Sequence, residues 1–265
     1  MHRVGEFFSR YILPLWVACA YAFLYIPLLV LVIFSFNSVA FPYQWKGFSL
    51  QWYEQLFTSI DIWKAAANSF IVAIAAVVLS LTFGLFFVLW CSHGKKRWLL
   101  TFFYPVVIVP EIILAVGLLS FYVFFNIPLG LPALIMGHTL LGFGYAVPII
   151  YTRYNALDKR MIEASLDLGA NNRQTFLKVV MPLLQPALIA AGILIFILSF
   201  DDFLIAFFSA NASSQTLSLY IFSMIRSGVS PVVNALATLM LIVSSVLVAI
   251  YSFVKVKEDM GERQS

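Results

Sequence analysis

The chain has 265 residues, 62% of them hydrophobic and only 11% charged, with a mean hydropathy of +0.96. Soluble globular domains carry roughly 25% charged residues, so this composition excludes a water-soluble fold. The net charge of +4 and pI near 9.0 follow from membrane topology and call for no nucleic-acid partner.

A transmembrane helix needs roughly 20 mostly apolar residues. Six stretches qualify, at about 12–34, 67–91, 99–125, 132–152, 185–208 and 232–254, which predicts an all-α membrane protein with one transmembrane domain over 1–265. The first has basic residues before it and Ser38-Val39-Ala40 after it, the outline of a cleaved signal peptide. Its apolar run exceeds an h-region of about 7–15 residues and contains Pro14 and Pro27, so it reads as a span. Cys19 and Cys91 fall inside spans and read as buried small apolar side chains, with no disulfide framework and no CxxC spacing. Segment 35–66 places Leu50, Tyr53, Leu56 and Phe57 at helical spacing. It predicts a short amphipathic helix capped by Ser49, lying in the membrane interface with Trp45, Trp52 and Trp63 as anchors.

Segment 153–184 is more closely specified. Asp158 is placed to cap a helix through Leu168, with Met161, Ala164, Ser165 and Leu168 on a small apolar face and Arg160, Glu163 and Asp167 opposite. Gly169 suits the left-handed position that ends such a helix. Asn171 with Gln174 predicts a capping box opening a second short helix, and Pro182 and Pro186 mark the bend into the fifth span.

Orientation follows from the sixteen Lys and Arg, because positive charge is retained on the cytoplasmic side. Arg3, Arg10, Lys95, Lys96, Arg97, Arg153, Lys159, Arg160, Arg173, Lys178, Lys255, Lys257 and Arg263 share one side, leaving Lys46, Lys64 and Arg226 on the other. Both termini are therefore expected in the cytoplasm, with 35–66 outside and 153–184 inside.

Of the twelve acidic residues, Glu111, Asp201 and Asp202 are the ones inside predicted spans, and no Lys or Arg lies within any span to pair with them. Charge at membrane depth costs several kcal/mol, so such groups are expected to face a polar cavity and to be functional. A pathway lined with carboxylates attracts cations. At about 1.5 Å per residue, Glu111 lies roughly 18 Å and Asp201 roughly 24 Å from the cytoplasmic ends of continuous helices, at or above the midplane. Phe121, Tyr122, Phe200 and Phe203 are near enough in sequence to add cation–π contacts of about 0.5–2 kcal/mol each to an alkylammonium. Adjacent residues on a helix point about 100° apart, so one of Asp201 and Asp202 is expected to face cargo while the other caps or bonds a neighbouring span. His138 and Asn68 are read as satisfied buried polar groups.

Glu163-Ala164-Ser165, three residues, Gly169, nine residues, Val179, one residue, Met181-Pro182 resembles the EAA signature of ABC-importer permeases, with Ser165, Val179 and Met181 as conservative departures. Ser199-Phe200-Asp201-Asp202, Arg226 to Pro231, and Asn234 to Leu239 are similar to the spermidine/putrescine permeases of that superfamily. Pro110-Glu111-Ile112 resembles their pattern too, with Glu111 where Asp is expected; the longer carboxylate leaves the substrate class intact and the particular polyamine open. The resemblance implies a type I importer permease fold in a bacterial inner membrane. It makes 153–184 the coupling loop, with Glu163, Ala164, Ser165, Gly169 and Pro182 engaging an ATPase subunit. It also implies a second permease subunit, an ATPase dimer and an extracytoplasmic polyamine-binding protein as partners.

No GxxxxGK[ST] loop occurs, and Gly94-Lys95-Lys96 lacks both the upstream Gly and the Ser/Thr. The chain is thus expected to be no enzyme and to hold no cofactor, with ATP and Mg on the partner ATPase and no metal here. An ion-coupled secondary transporter would use the intramembrane acids but leaves the 153–184 segment idle. A membrane protease finds neither GxGD nor GxSxG. An ABC permease for another small cationic or polar solute stays open, whereas an anion would call for basic residues in the spans.

Overall fold

The computed structural model describes residues 13–39, 44–92, 96–103, 108–228, 231–243 and 245–246. Among them the structure is helical, with one isolated bridge between Asn37 and Phe48. The chain divides into two compact units, residues 61–220 and residues 1–60 with 221–265. Its helices are α1 (Leu13–Phe34), α2 (Gln51–Thr58), α3 (Ile60–Ser92), α4 (Glu111–Phe124), α5 (Leu131–Asn155), α6 (Lys159–Asp167), α7 (Asn172–Asp201), α8 (Leu204–Ser209), α9 (Leu217–Ser227) and α10 (Pro231–Val243). Four of these are long and apolar enough to cross a membrane: α1, α3, α5 and α7.

The third and fifth predicted spans are not continuous helices. The third begins as a 3-10 helix over Arg97–Phe103, and its α-helix starts only at Glu111. Pro110 explains the restart: it cannot donate to a preceding turn, and at φ −58°, ψ 128° it takes the cap position. At 14 residues, α4 is about 21 Å long, short of the hydrocarbon core. The fifth span ends at Asp201, and Asp202 adopts φ −61°, ψ 132° before α8 begins. At its other end α7 starts earlier than expected, at Asn172, passing through a π-turn at Phe176–Val180. The widened turn lies just before Pro182, whose ring would meet the Lys178 carbonyl in a regular α-helix. The expected second short helix is present as Asn172–Thr175, and it runs through the π-turn into the fifth span. The second span reaches back to Ile60, and the sixth is helical over Pro231–Val243 and at 245–246, the rest of it lying outside the described residues.

Lipid removes most of the hydrophobic drive between helices, so their association depends on close packing. In the 61–220 unit that packing rests on small residues. Ser80 and Gly84 on α3 oppose Gly142 and Ala146 on α5, each pair four residues apart. A Cβ at Gly142 would strike Ser80 Oγ and lie 2.7 Å from Ile195 Cγ2 on α7. Ser80 Oγ meanwhile donates to the Thr139 carbonyl at 2.9 Å. Around this seam Val88, Val147, Ile150, Leu184 and Ile195 form a core cluster. A second cluster joins Ala115, Leu118 and Tyr122 of α4 to Ala133 and Leu141 of α5 and Ile205 of α8, so the helix after the break is packed against the helix after Pro110.

In the other unit the amphipathic helix is present as α2, one residue later than predicted. Leu50 holds the cap position, although Ser49 Oγ accepts from the Gln51 N–H at 3.2 Å. Leu56 is buried, whereas Leu50 and Phe57 are more than half exposed, so the expected apolar face is only partly used. The Trp52 indole N–H donates to the Asn37 carbonyl at 2.6 Å. Asn37 in turn bonds the Gln44 carbonyl and the Lys46 N–H, and Tyr53 pairs with Ser35. Trp45 and Trp63 are about half exposed. Cys91 is buried and free as expected, but Cys19 is exposed on α1.

Candidate functional site

The two interruptions bring two of the three intramembrane acids together. Glu111 is the first residue of α4, where the helix dipole favours a carboxylate. Asp202 sits between α7 and α8 and caps the latter: one oxygen accepts from the Ile205 N–H at 3.3 Å and the other from the Ala206 N–H at 2.9 Å. The Glu111 carboxyl lies within electrostatic and hydrogen-bonding reach of Asp202. Both acids thus occupy helix starts created by broken spans. Among the described residues no Lys or Arg pairs with Asp202, and backbone N–H groups of α8 satisfy it instead.

Asp201 and Asp202 are therefore not 100° apart on one helix. Asp201 is the last residue of α7 and is exposed; the Asp202 side chain has no exposed surface. Glu111 is exposed. Of the acids singled out by sequence, Asp201 and Glu111 are the exposed ones. The Asp202 carboxylate has no exposed surface: its oxygens are surrounded by backbone N–H groups, His138 and the Glu111 carboxyl.

Sequence reasoning assigned His138 no role, and the structure joins it to the acids. His138 Nε2 lies 3.6 Å from Asp202 Oδ2, and Nδ1 lies 2.9 Å from Ser199 Oγ. His138 and Ser199 are 61 positions apart, and no spacing rule joins them. The main-chain carbonyl of Asp202 accepts from the Ser218 hydroxyl, tying the break to the start of α9.

The nearby aromatic rings separate into two kinds. Tyr122 is fully buried, its hydroxyl donating to the Ala133 carbonyl at 2.8 Å, and is unavailable for a cation–π contact. Phe200, beside Asp201, is half-buried, stacked on Phe196 at 5.7 Å and edge-on to Phe70 at 5.1 Å. Phe121 is 43% exposed, and Phe203 packs against Phe207 at 5.6 Å.

Two cavities are lined without any of the three intramembrane acids. A groove of about 820 Å³ between α3, α4 and α5 is lined by residues such as Phe83, Ile113, Gly117, Met136 and Phe143, with no ionisable group. A polar pocket of about 250 Å³ is lined by Asp61, Lys64, Asn68, Ser213, Gln215 and Tyr220. Asn68, also given no role, donates there to the Gln215 carbonyl at 3.0 Å.

The segment between α5 and α7 follows its sequence closely. Asp158 caps α6 by accepting from the Arg160 N–H at 3.0 Å. Gly169, at φ +86°, ends it in a Schellman turn: its N–H bonds the Leu166 carbonyl at 2.9 Å, and the Ala170 N–H bonds the Ser165 carbonyl at 3.1 Å. The capping box of Asn171 and Gln174 is complete, with bonds of 2.8 and 2.9 Å. The expected face is divided, however. Ser165 turns inward to Thr175 at 3.1 Å, and Ile162 packs on the core, while Met161, Ala164 and Leu168 point outward with Glu163. No residue of α6 is buried, and Leu168 is 89% exposed. Pro182 lies in the first turn after the π-turn, and Arg153 Nε braces α5 against α7 by donating to the Leu183 carbonyl at 3.0 Å.

A family profile described as the inner membrane component of binding-protein-dependent transport systems matches residues 89–256. The chain is 35% identical over 243 residues to the spermidine/putrescine transport system permease protein PotC of Haemophilus influenzae, covering 90% of this chain and 94% of that one. It is also 35% identical to PotC of Escherichia coli K12, covering 86% and 88%, and 33% identical to the putrescine transport system permease protein PotI of the same organism, covering 83% and 82%. Among solved structures it resembles a chain of a bacterial ABC transporter that imports the acidic polysaccharide alginate. The TM-score is 0.67 at 15% identity, with 96% of both chains covered. An inward-facing MetNI methionine ABC transporter matches with a TM-score of 0.54 at 20% identity, over 72% of this chain and 90% of that one.

Proposed function

The chain belongs to the inner-membrane components of binding-protein-dependent transport systems, and from that premise we propose that it is the permease subunit of an ATP-driven polyamine importer. The observation that carries this is its identity with spermidine/putrescine and putrescine permeases over more than four fifths of its length. Two exposed carboxylates at span interruptions, with no intramembrane Lys or Arg, support the same cargo.

In this reading the chain crosses a bacterial inner membrane six times with both ends in the cytoplasm, as a single permease domain. It forms half of a channel with a second permease subunit. Asp201 and Glu111 hold the cationic cargo, and Asp202 shapes the site by capping α8. An extracytoplasmic binding protein delivers the polyamine. ATP and Mg act on a partner ATPase dimer, against which α6 docks through Met161, Glu163, Ala164 and Leu168. Closure of that dimer pushes on α6 and α7, and the acidic site opens outward.

The reconstituted complex provides the test. Spermidine or putrescine, presented with the binding protein, should stimulate ATP hydrolysis while amino acids do not. Asp201→Asn and Glu111→Gln should lower uptake with assembly intact. Stimulation by another solute class with none by polyamines would remove the cargo assignment.

A further inference from the structure

The imidazole of His138 is an unexplained buried group on α5. Its side chain and that of Asp202 have no exposed surface. Nδ1 is partnered by Ser199 Oγ at 2.9 Å, yet Nε2 has no hydrogen-bond partner and points at Asp202 Oδ2 from 3.6 Å. A buried donor left unpaired is costly, so the direction in which Nε2 can be satisfied is informative. A neutral ring carrying its hydrogen on Nε2 accepts from the Ser199 hydroxyl and donates toward the Asp202 carboxylate. That carboxylate also accepts from the Ile205 and Ala206 N–H groups and has the Glu111 carboxyl within hydrogen-bonding reach. Four helices, α4, α5, α7 and α8, thus meet at one carboxylate.

Ser, His and Asp together suggest a hydrolytic triad, but Ser199 is 5% exposed and closed to any substrate. The geometry serves placement. Asp201 immediately precedes Asp202 in the chain, so the angle of the break sets where the Asp201 carboxylate projects. We propose that His138 is a positioning residue for the cargo site: strung between Ser199 and Asp202, it fixes the break after α7 and hence the position of Asp201. The inference rests on Asp201 being a cargo ligand.

The test is a set of variants in the reconstituted complex. His138→Leu retains bulk but neither ring nitrogen, and His138→Gln keeps a donor near the Nε2 position. His138→Leu should raise KM for spermidine about tenfold with maximal rate within about twofold, and His138→Gln should return KM to within about threefold of wild type. Unchanged KM in His138→Leu, or equal KM in the two variants, overturns the proposal. Should His138→Leu not assemble, Ser199→Ala removes the Nδ1 partner alone and should raise KM about threefold; no change overturns the proposal equally.

A second readout needs no cargo. In a Cys19→Ser complex stripped of other reactive thiols, the labelling rate of Asp201→Cys by a membrane-impermeant maleimide should change about fivefold with His138→Leu or Ser199→Ala and stay near its starting value with His138→Gln. Equal rates overturn the positioning role. If the wild type transports no polyamine, the cargo assignment falls, and the labelling rates still decide the role of His138.

Discussion

Neighbouring Asp201 and Asp202 should fail in different ways when changed. Asp202→Ala removes the acceptors for two buried backbone N–H groups, Ile205 at 3.3 Å and Ala206 at 2.9 Å, and the carboxylate facing His138. Losing a helix cap costs about 0.5–2 kcal/mol, and each stranded buried donor about 1–3 kcal/mol. Because these overlap, a net loss of about 2–4 kcal/mol is expected. For a chain of this size that corresponds to a fall of roughly 5–10 °C in Tm. Asp201→Ala removes an exposed carboxylate from the end of α7, and its Tm should stay within about 2 °C because exposed substitutions cost about 0.5 kcal/mol or less. Uptake should show the reverse weighting, with Asp201→Ala raising KM for polyamine in protein that assembles normally. Thermal unfolding in detergent, followed by size-exclusion fluorescence, reads the first effect, and uptake into proteoliposomes the second. Equal Tm values for the two variants would refute the division between a capping acid and a cargo acid.

Three further outcomes follow from local geometry. Gly142→Val must displace Ser80 and Ile195, and at about 1–3 kcal/mol for overpacking should lower Tm by several degrees; Ser80→Gly in the same chain should recover part of it. Leu168→Asp, on a side chain 89% exposed, should leave Tm unchanged while abolishing most cargo-stimulated ATP hydrolysis. Gly169→Val places a β-branched residue at φ +86°, with about 1–2 kcal/mol of strain, and should uncouple hydrolysis from uptake by spoiling the turn, read as ATP consumed per polyamine imported.

Local determinants explain what was legible in the sequence. Asp158, Gly169, Asn171 and Gln174 act within a few residues of their own positions, so the turn architecture around α6 could be read directly. Hydropathy, by contrast, ran across both interrupted spans, because a window of apolar residues does not register a proline or an acid within it. Pro110 was the available signal for the restart at Glu111, and Asp202, three residues before the Ile205 N–H it accepts, was the signal for α8. The pairing of His138 with Ser199 and Asp202 had no such signal, since it depends on how α5 packs against α7. The outward set Met161, Ala164 and Leu168 was likewise decided by tertiary contact, which drew Ser165 to Thr175.

The 30 residues from Asn172 to Asp201 form a helical stretch of about 45 Å, widened at Phe176–Val180, with α6 just before one end in the chain and an acid at the other. A stiff rod conveys twist as well as thrust, so in the proposed importer a few degrees of rotation at Pro182 would swing the Asp201 carboxylate through the same angle. The widened turn at Phe176–Val180 lies just before that stretch, on the side of α6, where such a rotation would enter.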